Sequence, residues 1–225
     1  MARGKKYKAV RELINPETKY AVEEAIALAK KGSYSKFVGM MNIAVKTFAD
    51  PKYNDQQIRG VTSLPHGVGK TVKIAAFVSD DKITAAKAAG ADIAGSTELL
   101  SDIEKGKIDF DILLTTPDMI KELAKVAKAL GPKGLMPSPK AGTVTQDLEA
   151  TIGEVKKGRI EFRMDKTGNI HSGVGKLSFS DEQLVDNVKA FLKALEENKP
   201  AGIKGKLIKK VVVSPTMGPG VQIEW

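Results

Sequence analysis

The sequence predicts an α/β protein of two domains, a discontinuous α+β domain and a continuous α/β domain inserted into it. Three observations predict this. Two similar Gly-rich segments led by histidine, "HGVGK" (His66–Lys70) and "HSGVGK" (His171–Lys176), punctuate the 225 residues. Between them, strand and helix patterns alternate with short connections, which implies a parallel sheet with helices on its faces. The flanks do not alternate and read as α+β. Residues 1–66 and 159–225 are therefore expected to form one divided domain around an inserted Rossmann-like βαβ domain at residues 67–158. Gly67, Gly69 and Gly158 mark the crossings and are candidate hinge positions, because backbone φ is least restricted at glycine.

The elements follow in order. "YAVEEAIALAKKG" is an amphipathic helix with Ala21, Ala25, Ile26, Leu28 and Ala29 as its apolar residues. "KFVGMMNIAVKTF" and "QQIRGVTSLP" read as strands. "TVKIAAFVS" is a strand rich in β-branched residues, and Asp80 or Asp81 would cap the helix "DKITAAKAAG". A short strand "ADIAG" leads to the helix "STELLSDIEKG", with Ser96 or Thr97 at its N-cap. "FDILLTT" has the apolar run of a buried strand. "PDMIKELAKVAKALG" starts with Pro117 in its first turn and stops at Gly131. "QDLEATIGEVKKG" is the last helix of the insert. "RIEFRMDKTGNIHSGVGKLSFS" resembles a hairpin with its turn at Lys166-Thr167-Gly168-Asn169. In "SDEQLVDNVKAFLKALEENK", Ser180 and Gln183 have capping-box spacing, and Leu184, Val188, Phe191, Leu192 and Leu195 share a face. "KGKLIKKVVVS" is a last strand, and it feeds the loop "SPTMGPG" (Ser214–Gly220).

Composition narrows the function. Apolar residues make up 42% and charged residues 28%, as in an ordinary globular protein. The absence of Cys excludes disulfides and thiolate chemistry and favours a reducing, cytoplasmic setting. With His66 and His171 as the only histidines, a metal site is not expected. The basic start "MARGKKYKAVREL" has no apolar h-region after it, and no membrane span is expected. The net charge is +9, and it is unevenly placed. Residues 1–66 hold 12 Lys+Arg against 6 Asp+Glu, and residues 159–225 hold 11 against 8, whereas residues 67–158 balance at 13 against 13. The whole excess sits on the divided domain, which points to a polyanion partner there.

Several motifs invite chemistry and do not support it. "HGVGKT" lacks the first Gly of a P-loop, and a strand rather than a helix follows Lys70. The first strand of the insert is followed by Asp80 and Asp81, where a dinucleotide pyrophosphate would need amides and no opposing charge. Asp109 and Asp111 do not form a catalytic pair, and no catalytic residues are expected. "GPKGLMPSPKAGTVT" is stiffened by three prolines, with Lys133 and Lys140 as candidate phosphate contacts. Phe37 is either core or, if exposed, a surface for packing on a ribose or base. In the last loop, Gly218 would let a partner approach the backbone. Thr216 would bond a phosphate or 2′-hydroxyl, and Met217 would add a soft apolar cap.

Taken together, "LPHGVGK", "LGPKGLMPSPKAGTVT", "DKTGNIHSGVGK" and "TMGPG" resemble the ribosomal protein L-one family of the large-subunit mobile stalk, in its bacterial form, over essentially the whole chain. The resemblance implies a non-enzymatic, monomeric two-domain protein with no cofactor. Its divided domain would bind large-subunit rRNA at the stalk. It also implies a role in release of deacylated exit-site tRNA and repression of translation through the protein's own operon mRNA. The RNA-binding positions it implies are Lys36, Phe37, Thr216, Met217 and Gly218, with Asp165, Lys166, Thr167 and Ser178 as weaker matches. Val38-Gly39-Met40 departs from the acidic and hydroxyl residues common after Phe37 in the family. Ser138 stands where an Asn is usual, and Pro215 where a small polar residue is. Two other readings stay open: a nucleotide-dependent enzyme built on the insert, and a general nucleic-acid chaperone.

Overall fold

A computed structural model describes residues 4–200, 202–203 and 205–225, with the side chains of Asn54 and Lys140 outside the description. In chain order come α1 (Lys5–Glu12), α2 (Val22–Lys31), β1 (Met40–Thr47) and β2 (Arg59–Ser63). They are followed by β3 (Ile74–Phe77), α3 (Asp80–Ala88), β4 (Ile93–Gly95), α4 (Thr97–Glu104) and β5 (Ile112–Thr115). Next come α5 (Ile120–Leu123), α6 (Ala127–Leu130), α7 (Leu148–Lys156), β6 (Arg159–Arg163) and β7 (Asn169–Lys176). The chain ends with α8 (Asp181–Glu197), β8 (Ile208–Pro215) and β9 (Val221–Ile223). It divides into two compact units, one formed by the chain up to Lys70 with Ile160–Trp225, the other by Thr71–Arg159.

The first unit is built on an antiparallel sheet in the order β7-β1-β8-β9. β1 alternates strictly. Met41, Ile43 and Val45 are buried, while Asn42, Ala44 and Lys46 lie on the other face. The buried face meets Ala25, Ile26 and Ala29 of α2 and Leu184, Val188, Phe191, Leu192 and Leu195 of α8 in one core. Phe191 packs edge-on against Phe162, with ring centroids 5.6 Å apart. The expected capping box holds the start of α8. Ser180 Oγ accepts from the Gln183 N–H at 3.2 Å, and Gln183 Oε1 accepts from the Ser180 N–H at 3.1 Å.

The second unit is a parallel sheet in the order β4-β3-β5. β3 is buried throughout, so each of its faces meets helices. Ala75 and Phe77 face Leu99 and Ile103 of α4 and Leu123 of α5. Ile74 and Ala76 face Ala86 of α3 and Ile152 and Val155 of α7. The result is helix, sheet and helix in three layers.

The structure differs from the sequence expectations at several places. The first strand begins at Met40, so Phe37 lies in a bend before it. The basic N-terminal stretch forms α1, which buries none of its residues. The expected helix from Pro117 to Gly131 is broken into α5 and α6 by 3₁₀ turns, because Val126 (φ −100°, ψ 8°) leaves helical geometry. Ser79, not Asp80 or Asp81, is the N-cap of α3, and the two acids sit in its first turn near the positive end of the dipole. Ser96 occupies the N-cap of α4 but bonds Asp80 instead of the helix. β6 and β7 do not form a hairpin ladder. β6 pairs with β2, and the two sides of the turn are joined by the Met164–Ile170 bridge and by the Asp165 N–H donating to Asn169 O at 2.8 Å.

Beside the first crossing, the polar side chain of Asn187 on α8 is fully buried. Its Oδ1 accepts from the His66 N–H at 3.1 Å, and its Nδ2 donates to Gly67 O at 2.9 Å and Val174 O at 2.7 Å. Gly67 (φ 65°) and Gly69 (φ 74°) adopt left-handed turns, and a Cβ on Gly69 would lie 2.8 Å from the Phe179 ring. Gly158 has φ 104°. The start of the crossing is thus tied to the core by one side chain. Asn187→Ala leaves three backbone groups without that partner and should destabilise the protein by about 3 kcal/mol in urea unfolding.

Candidate nucleic-acid interface

The loop after β8 is built against the segment that joins α2 to β1. The Thr216 N–H donates to Met40 O at 2.9 Å. The Thr216 hydroxyl accepts from the Met40 N–H at 2.8 Å and donates to Met40 O at 3.1 Å. Met217 O accepts from the Tyr34 N–H at 3.4 Å. Residues 35–39, which include Lys36 and Phe37, therefore leave and return to the same loop. Leu177 N–H donates to Gly39 O at 3.0 Å, which brings the exposed Ser178 to this end of the sheet as well.

Lys36, Phe37, Thr216, Met217, Gly218 and Ser178 thus gather at one end of the sheet. Phe37 is 59% exposed, Val38 63% and Met217 42%, so a basic side chain sits with an open apolar patch. Val38 adds apolar area and no side-chain hydrogen-bonding group to this end. Gly39 is buried, where a Cβ would lie 3.3 Å from Leu177 and Thr216.

Two roles change. The only hydroxyl proton of Thr216 is already given to Met40 O, and one lone pair is taken. Thr216 keeps one acceptor site, suited to a 2′-hydroxyl donor, and does not donate to a phosphate while the loop is intact. Gly218 is required by the protein's own packing. A Cβ there would lie 2.5 Å from Pro215 Cγ and 2.7 Å from Gly32 O. Pro215 is itself buried at the end of β8, which explains its place beside the loop.

Asp165, Lys166 and Thr167 lie at the opposite end of β1, where Lys46 pairs with Asn169. The strand separates the two groups by about 23 Å. Asp165 Oδ1 accepts from the Thr167 N–H (2.8 Å), the Thr167 hydroxyl (2.7 Å) and the Asn169 N–H (2.8 Å). Burial alone would raise the Asp165 carboxyl, but these hydrogen bonds outweigh it and hold it down at about 2. Asn169 Nδ2 occupies the Thr167 hydroxyl as acceptor at 2.8 Å. Asp165 and Thr167 shape the turn, closed by Gly168 (φ 77°), and leave Lys166 as the cation offered to solvent.

Between the two ends runs the open face of the sheet, with Asn42, Ala44, Ser214 and Val212 half-buried and His171 exposed. Neither Thr216's internal bonds nor this face was read from the sequence; the alternation of β1 is the signal that could have found the face.

In the second unit, the proline-rich loop is held to the sheet: Thr143 O accepts from the Thr115 N–H, and Thr115 O from the Thr145 N–H, each at 3.0 Å. Gly142 lies against the Arg159 guanidinium, which leaves no room for a Cβ. Lys133 is exposed. The expected contact at Lys140 falls outside the described side chains. Asp111 accepts from the Lys73 N–H at 3.1 Å, a structural role. Among the described residues no cluster of His, Asp and Glu is placed to hold a metal.

Two outcomes follow from this geometry. Gly218→Ala should lower stability by about 1–3 kcal/mol in chemical denaturation, because its Cβ meets backbone that must shift. The Asp165 carboxyl is held below its unfolded value of about 4, so its contribution is present above that pH and lost as pH falls from about 4 to 2. The stability advantage of the wild type over Asp165→Asn should shrink across that window in pH-dependent melts.

Residues 28–219 match the family model described as Ribosomal protein L1p/L10e family. A protein of Kosmotoga olearia named large ribosomal subunit protein uL1 is 47% identical over 222 residues, covering 99% of this chain and 96% of the relative. A Rickettsia akari protein of the same name is 46% identical over 224 residues, covering 100% of this chain and 94% of the relative. One from Thermosipho africanus is 48% identical over 222 residues, covering 98% and 96%. These relatives are ribosomal proteins, not enzymes, and the match runs through both units and through Lys36, Phe37, Thr216, Met217 and Gly218. The chain belongs to the Ribosomal protein L1p/L10e family and is a ribosomal protein rather than an enzyme.

Proposed function

We propose that this chain is a structural protein of the large ribosomal subunit whose first unit binds large-subunit rRNA at the mobile stalk. The observation that carries the reading is the exposed Phe37–Val38–Met217 patch beside Lys36, on the unit that holds the entire net positive charge. Phe37 and Met217 pack on ribose or base surfaces, and lysines neutralise phosphates. Thr216 accepts from a 2′-hydroxyl, and Ser178 borders the contact. Lys166, at the other end of the open face, meets phosphate, while Asp165 and Thr167 hold it in place. Gly218 acts indirectly by letting the loop seat against Gly32.

The family resemblance extends the proposal. Movement about the crossings, with Gly69 and Gly158 as pivots and Gly67 as a fixed anchor, assists release of deacylated tRNA from the exit site. The same interface binds a look-alike structure in the protein's own operon mRNA and represses translation.

Met217→Asp places a carboxylate where a ribose or phosphate would sit. In a footprint on purified large-subunit rRNA, protection at the stalk should be lost with this variant, with affinity down by about 100-fold. Unchanged protection would remove the loop from the interface. Equal affinity of the wild type for stalk RNA and a random duplex at one salt concentration would favour general nucleic-acid binding instead.

A further inference from the structure

We propose that a second, electrostatic site lies at the far end of β8, where Lys19, Lys206, Lys209 and Lys210 grip the phosphate backbone of the RNA held at the Thr216 loop. This rests on the RNA-binding reading above and extends its footprint. The four lysines line a hollow of about 250 Å³ together with Gln222, Trp225 and the side chain of Glu224. All four are exposed, and among the described residues none of them is in an ion pair.

A β-bulge builds the cluster. Lys46 pairs with Lys210 and Thr47 with Ile208, so Lys209 is the extra residue between them. An ordinary strand would send neighbouring side chains to opposite faces, but at this bulge both lysines are exposed. Lys209 Nζ sits over the Phe48 ring, 5.6 Å from its centre, which steadies the side chain without neutralising it. Unpaired like charges brought together raise the local potential, and a polyanion relieves it.

Position supplies the second argument. Lys210 precedes Thr216 by six residues of β8, roughly 20 Å along the strand. The open face between them carries Asn42, Ala44, Val212 and Ser214, side chains short enough for an RNA backbone to lie across. The hollow holds the chain by charge, while the Phe37 and Met217 end fits its shape. The two ends should therefore respond differently to salt.

The test is the affinity for a stalk-region rRNA fragment across a series of KCl concentrations. The Lys206→Ala/Lys209→Ala/Lys210→Ala variant should make the slope of log K against log salt less steep by about 2, while keeping the preference for stalk RNA over random duplex. The corresponding triple Arg variant should keep the wild-type slope. A wild-type slope in the Ala variant, or an equal loss in the Arg variant, overturns the proposal; an unchanged thermal midpoint confirms that the variants are folded. Met217→Ala, which removes apolar area and no charge, is measured in parallel and should lose the preference with its slope unchanged. If it keeps the preference, the loop reading fails, and the lysine site is still decided by the slope.

Discussion

Met41, Ile43 and Val45 point from β1 into the core of the first unit, and every other placement in that unit depends on their register. β1 is paired on both sides, with β7 and β8. A slip by one residue would turn Lys46 and Asn42 inward and put three core side chains in water, at roughly 1.5–3 kcal/mol each. The register is thereby fixed, and with it both ends of the candidate interface. Met40 meets Thr216 at one end, and Lys46 donates to Thr167 O at the other.

The loop at the first end satisfies its polar groups internally. Both the N–H and the hydroxyl of Thr216 are bound to Met40, Met217 O is bound to Tyr34, and Gly218 lies against Gly32. A loop held in this way loses little conformational entropy when a partner meets it, which favours affinity. It presents shape, apolar area and nearby charge, with few free hydrogen-bond donors. Its glycine therefore serves the fold first and any partner only through the fold.

Parts of this were legible in the chain. The run "KFVGMMNIAVKTF" was legible as a strand, the spacing of Ser180 and Gln183 marked the start of α8, and alternating strands and helices marked the parallel sheet of the second unit. All three are local patterns with a direct physical cause. The exposure of Phe37 was open, because an aromatic next to a strand reads the same whether core or surface. The roles of Asp165 and Thr167 were hidden, since a turn that absorbs its own side chains has the same letters as one that offers them. The break at Val126 and the bulge at Lys209 lack a composition signature.

By itself the sequence determined the kinds of element, the charge imbalance between its parts and the membership of a family, because each depends on residue type and spacing along the chain. Only the tertiary structure decided that the implied contact residues fall into two groups at opposite ends of one strand, that Gly218 is demanded by Gly32 and Pro215, and that Asn187 anchors the first crossing. The deciding contacts include ones between residues far apart in sequence, such as Asn187 and His66, 121 apart, and Met40 and Thr216, 176 apart. Their geometry exists only once the chain has closed on itself.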